Sequence, residues 1–136
     1  MGSTSLRGYL LDTHIWFWYL TGSERLPHGL RGLIDEAQDE CWYSPISVWE
    51  LGMLKERGRI RISGQFRSWM IKAIELFPIK EAPFIFEVAI VSKELELPHE
   101  DPADHFIAAT AIVYELTLLT VDHRLLGLDG LPSRSN

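Results

Sequence analysis

The chain has 136 residues, 46% of them hydrophobic and 24% charged, with a formal net charge of −6 at pH 7. That length and balance fit one soluble globular domain whose core needs no covalent staple. Cys41 is the only cysteine, which excludes an intrachain disulfide and points to a reducing compartment, and the acidic balance argues against a protein that grips nucleic acid through a broadly basic face.

No repeat, low-complexity tract or long linker breaks the chain, so a single domain over residues 1–136 is expected, with tails at 1–8 and 127–136. Tyr9 to Leu11 reads as a short buried strand ending at Asp12, and a helix follows from Thr13 to Leu20. Its Trp16, Phe17 and Trp18 exceed what one helix buries on a single face, which calls equally for a partner surface or for a thick core contact. Asp12, Thr13 and His14 interrupt the longest apolar region, which argues against a membrane span or a signal-peptide core; a cytoplasmic protein is expected. Leu30 to Gln38 is helical by spacing, with Leu33, Ile34 and Ala37 on one stripe. Cys41 to Tyr43 is a second short strand.

SPISVWELGMLKERG carries the clearest helix. Ser44 suits the N-cap, Pro45 the first turn, and Gly58 the position past the end, while Lys55 and Arg57 favour the negative end of the dipole. Ile46, Trp49, Met53 and Leu54 define its apolar face, and Glu50 falls within or beside that stripe. The basic run Lys55 to Arg61 is expected to be a solvated helix end. Ile71 to Leu76 closes another amphipathic helix, Phe77 to Ile79 reads as a strand, and Pro83 to Leu95 as a helix. In DPADHFIAATAIVYE, Asp101 is the N-cap and Pro102 the first helical residue. Asp104 shares the inner face with Ile107, Ala108, Ala111 and Ile112. A last strand runs from Leu118 to Val121 and ends at Asp122.

Short apolar strands alternating with helices indicate an α/β fold with a mostly parallel sheet. Such sheets bind ligands beyond the carboxyl ends of their strands, where Asp12 and Asp122 fall. Singly, each acid has a local explanation: Asp12 and Asp122 as caps, Asp104 as a first-turn acid, Glu50 as a residue leaning to water. Together, two acids at strand ends and two on inward helix faces converge, and carboxylates so gathered repel unless protons or a cation intervene. Lys80 and a few arginines fall between the motifs, none placed as an obvious partner. An all-oxygen donor set suits a hard divalent ion, Mg²⁺ or Mn²⁺, and such a site supports phosphodiester hydrolysis. A bound ion would also neutralise part of the acidic charge, so the net charge does not exclude a nucleic-acid substrate.

LLDTHIWFW, SPISVWELG and LPHEDPADHFIAATAIVYELTLLTVD resemble the PIN-domain family, and within it the VapC-type ribonuclease toxins of toxin–antitoxin pairs. The resemblance runs from Tyr9 to about Leu126. It implies a three-layer α/β/α fold and an Mg²⁺- or Mn²⁺-dependent endoribonuclease acting on RNA. It also implies a homodimer and a cognate small antitoxin as partner. The positions matching the family's acidic site are Asp12, Glu50, Asp104 and Asp122, and Thr120 matches the small hydroxyl residue before the last acid. Asp101 is a further acid beside the site. His105 stands where similar sequences carry Arg, so a basic group near the substrate phosphate is missing or pH-dependent.

Three rivals are weighed against this. His14, His99, His105 and His123 lie near acids and invite a zinc hydrolase, but they are not the residues that the spacings turn inward. A receiver-like Mg²⁺-binding signalling module needs a late lysine, and none follows Lys93. A catalytically silent RNA-binding or dimerisation domain would show little stabilisation by metal.

Overall fold

The computed structural model describes residues 6–97 and 101–136; His99 lies outside them. Among these residues the chain forms a sheet in the order β3-β2-β1-β4-β5, and every neighbouring pair runs parallel. The strands are β1 (Tyr9–Leu11), β2 (Cys41–Tyr43), β3 (Lys80–Glu81), β4 (Thr117–Leu119) and β5 (Ser133–Arg134). The helices are α1 (Thr13–Thr21), α2 (His28–Glu36), α3 (Pro45–Glu56), α4 (Phe66–Leu76), α5 (Phe86–Glu94) and α6 (Pro102–Tyr114). No described helix is long and apolar enough to cross a membrane.

Side chains that alternate along the strands feed two cores, one on each face of the sheet. Leu10 and Leu118 join Ile107, Ala108, Ala111 and Val88 under α5 and α6, whereas Leu11, Cys41 and Leu119 join Ile15, Trp16, Leu30, Ile34 and Met70 under α1, α2 and α4. The result is a three-layer α/β/α sandwich around strands apolar on both faces, as a buried parallel sheet requires. Leu10, Leu11, Leu118 and Leu119 are fully buried, each contributing roughly 2 kcal/mol relative to exposure.

The capping residues behave as their chemistry dictates. Ser44 Oγ accepts from the Ile46 amide at 3.0 Å and Asp101 Oδ1 from the Ala103 amide at 3.0 Å. Gly58 adopts φ +68° just past α3, and Gly22 ends α1 in the left-handed region at φ 65°. Glu115 ends α6 in that same region at φ 58°, a conformation that costs a residue with a Cβ.

Four expectations shift. The apolar run Phe77 to Ile79 is not a strand; the ladder instead pairs Trp42 with Lys80 and Tyr43 with Glu81. β3 is an edge strand, where charged residues are favoured and apolar alternation is not required. The inward face of α3 carries Ser47 and Leu51, while Trp49 is 57% exposed. A small residue is needed there because Ser47 Oγ meets Thr13 Oγ1 of α1 at 2.8 Å. The segment 127–136 is not a tail: Leu131 is buried and Ser133–Arg134 pair with Leu118 and Leu119. Residues 6–8 are likewise tied down, since the Leu6 amide donates to Tyr114 O at 2.9 Å and Trp42 Nε1 to Arg7 O at 3.1 Å.

Candidate metal centre

The strand order places the site. From central β1 the chain first builds β2 and β3 on one side, then β4 and β5 on the other. The carboxyl ends of β1 and β4 therefore part at the topological switch point, where parallel α/β sheets open a crevice. Asp12 follows β1 directly, and Thr120 and Asp122 follow β4. The N-terminal half of α6 brings Asp101 and Asp104 over the same end, and α3 brings Glu50. A cavity of about 310 Å³ is lined by Asp12, Glu50, Asp101, Asp104 and Asp122, together with Arg25 and Arg124. The acids named from strand ends and helix faces thus meet in one place.

Asp12 is the most tightly held. Its Oδ1 accepts from the Thr13 amide at 2.9 Å, and its Oδ2 accepts from the Thr120 hydroxyl at 2.6 Å. Thr120, itself fully buried, also accepts at Oγ1 from the Asp122 amide at 3.0 Å. One threonine side chain thereby couples the two strand-end acids. Burial pushes the Asp12 carboxyl up to about 7, with repulsion from Asp104 and Glu50 adding to it and the bonds from Thr120 and Thr13 opposing it. Burial also raises Glu50, reinforced by Asp101 and Asp104 and opposed by the Thr13 hydroxyl. The acids therefore sense one another across elements far apart in sequence, the electrostatic signature of a site that wants a cation.

Arg124 is the residue that sequence reasoning missed. Its guanidinium holds Asp122 through two contacts, Nη2 to Oδ2 at 2.9 Å and Nε to Oδ1 at 3.1 Å, and Nη2 reaches Asp104 Oδ2 at 3.4 Å. The only signal available was its position two residues after an acid at a strand end. His14, Trp18 and Arg25 also line the cavity. The His14 imidazole is pulled below its ordinary pKa, chiefly by burial, with Arg25 pulling the same way and Asp104 and Asp122 opposing.

His105 turns elsewhere. Its Nδ1 lies 2.9 Å from Asp101 O, and its ring lines a separate cavity of about 430 Å³ with Ser92, Lys93, Leu95, Pro102 and Phe106. The basic run Lys55 to Arg61 is largely exposed and contributes nothing to the acidic cavity.

The donor chemistry fits a divalent ion: hard carboxylate oxygens, mutually destabilised, in a solvent-reachable cavity. As they are placed, no three His, Cys, Asp or Glu side chains among the described residues stand close enough together to hold one ion. Asp12 accepts a hydrogen bond at each oxygen, and the Arg124 guanidinium spans Asp104 and Asp122.

The fold is an all-parallel α/β/α sandwich with an acidic pocket at its switch point, the place where such sheets bind their ligands. The PIN-domain family model matches residues 9–131. Ribonuclease VapC22 of Mycobacterium tuberculosis (strain ATCC 25618 / H37Rv) is 33% identical over 120 residues, covering 85% of this chain and 88% of the relative. The chain belongs to the PIN-domain family. Its fold matches VapBC2 from Rickettsia felis, solved bound to a DNA fragment from their promoter, with TM-score 0.68 and 18% identity over 93% of this chain and 97% of that one. It also matches FitAcB from Neisseria gonorrhoeae, with TM-score 0.64 and 22% identity over 93% and 96% of the two chains.

Proposed function

We propose that this chain is a divalent-metal-dependent endoribonuclease, the toxin of a toxin–antitoxin pair, acting in the cytoplasm as a homodimer restrained by a cognate small antitoxin. The observation that carries the reading is the meeting of Asp12, Glu50, Asp104 and Asp122 in one cavity at the switch point of the sheet. The 33% identity to a ribonuclease supports the reaction class. The VapBC and FitAB complexes among the structural neighbours support the partner.

In this reading Asp12, Glu50, Asp104 and Asp122 hold Mg²⁺ or Mn²⁺, with Asp101 beside them. A bound ion supplies Lewis-acid activation of the phosphoryl group and of an attacking water. The chain's own residues do the rest. Thr120 and the Thr13 amide fix the Asp12 carboxylate, and the hydrogen bond that the Asp122 amide donates to Thr120 Oγ1 ties the second strand-end acid to the first. Arg25 and Arg124 give the acidic cavity two cations that can face an RNA phosphate. Among the described residues no lysine lines the cavity, which disfavours the receiver-like alternative.

The test is direct. A single-stranded oligoribonucleotide should be cut in Mg²⁺ or Mn²⁺, left intact in EDTA, and left intact by the Asp104→Asn variant. Full activity in that variant, or cleavage that ignores EDTA, would overturn the proposal.

A further inference from the structure

We infer that Arg124 is an exchangeable counter-ion: it occupies the acidic site when no metal is bound, and metal binding releases it to the substrate phosphate. This rests on the metal-dependent reading above and adds a residue and a switching step to it. The guanidinium bridges two carboxylates delivered by different elements, Asp104 from α6 and Asp122 from the loop after β4, at 3.4 Å and 2.9 Å. It therefore stands between two of the oxygens that a divalent ion needs. A +1 guanidinium only partly offsets the acids lining that cavity, and a +2 ion, which offsets more, competes for the same oxygens.

The side chain is built to leave. It is 50% exposed, sits on a turn held by the Leu125 and Leu126 amides donating to Asp122 O at 3.0 and 3.1 Å, and can swing without disturbing the sheet. Its backbone amide separately donates to Asp122 Oδ1 at 2.9 Å, so the turn stays anchored when the guanidinium departs. Once displaced, the planar fork remains at the mouth of the cavity, where its geometry matches a pair of phosphate oxygens. It thereby supplies the cation that the turned-away His105 does not.

The two roles have opposite signs, which makes them separable. Arg124→Ala should bind Mn²⁺ about three- to tenfold more tightly than the native chain, measured by titration calorimetry. At saturating Mn²⁺ it should show a KM for a single-stranded oligoribonucleotide raised about tenfold or more. Arg124→Lys, which keeps the charge but loses the fork, should fall between. Arg25→Ala controls for bulk charge: Arg25 lines the same cavity without an ion pair to a carboxylate among the described residues, so its removal should tighten Mn²⁺ less. If Arg124→Ala binds Mn²⁺ no more tightly than the native chain, or no more tightly than Arg25→Ala, the exchange is refuted while the nuclease reading stands. If the native chain binds no Mn²⁺ at all, both fall.

Discussion

Replacing Asp12 by Asn should stabilise the metal-free protein at pH 8 and destabilise it at pH 3. The Asp12 carboxyl is raised from 3.8 to about 7 in the fold, chiefly by burial. A carboxyl raised in the folded state favours folding at low pH, and this contribution drains away as pH climbs from about 4 through about 7. The gap between the two values corresponds to about 4 kcal/mol at most, and solvent reaching the cavity lowers that to about 2–3 kcal/mol. Asn removes the buried charge but satisfies the Thr13 amide and the Thr120 hydroxyl less well, a loss of about 1 kcal/mol. At pH 8 in EDTA the variant should therefore gain about 1–2 kcal/mol, or roughly 3–6 °C in Tm. At pH 3, below both values, the carboxyl is protonated in the folded and unfolded chain alike, only the hydrogen-bond loss remains, and Tm should fall by about 3 °C. Differential scanning calorimetry of both proteins at the two pH values reads this directly. A shift of the same sign at both pH values would refute the claim that burial of the Asp12 charge destabilises the metal-free site.

Thr120→Val keeps the shape of a fully buried side chain but removes the hydroxyl that joins Asp12 and Asp122; it should cost about 1–3 kcal/mol by urea denaturation and sharply reduce RNA cleavage. Glu115→Gly should raise stability by about 0.5–1 kcal/mol, because glycine takes the φ 58° conformation that ends α6 without strain. Gly8→Ala should be strongly destabilising, since Gly8 sits at φ +113° and an added Cβ would run into Glu40 O; about 3 kcal/mol or more is expected by the same assay, and a loss under 1 kcal/mol would show that the turn relaxes.

The site was legible in the sequence because acids interrupting apolar patterns are costly, and that cost leaves a mark. Asp12 breaks an apolar run, Asp104 shares a face with Ile107 and Ala108, and both acids prove to be buried. Caps were equally legible, since Ser44 and Asp101 with the prolines that follow them act locally. What the sequence hid depends on tertiary neighbours. The edge position of β3 removes the apolar signal from Lys80–Glu81. Tight approach of α1 makes Ser47 an inward residue in place of Trp49. Pairing with β4 turns the polar Ser133–Arg134 segment into a strand. Arg124 was hidden for the same reason: its link to Asp104 spans 20 residues and exists only once α6 and the loop after β4 meet.

Soaking crystals of the protein in Mn²⁺ and recording an anomalous difference map tests the central claim most directly. The account predicts a peak between the carboxylates of Asp12, Asp104 and Asp122, with the Arg124 guanidinium moved away from Asp104. A map with no peak in that cavity at millimolar Mn²⁺, or with its only peak elsewhere, would contradict it.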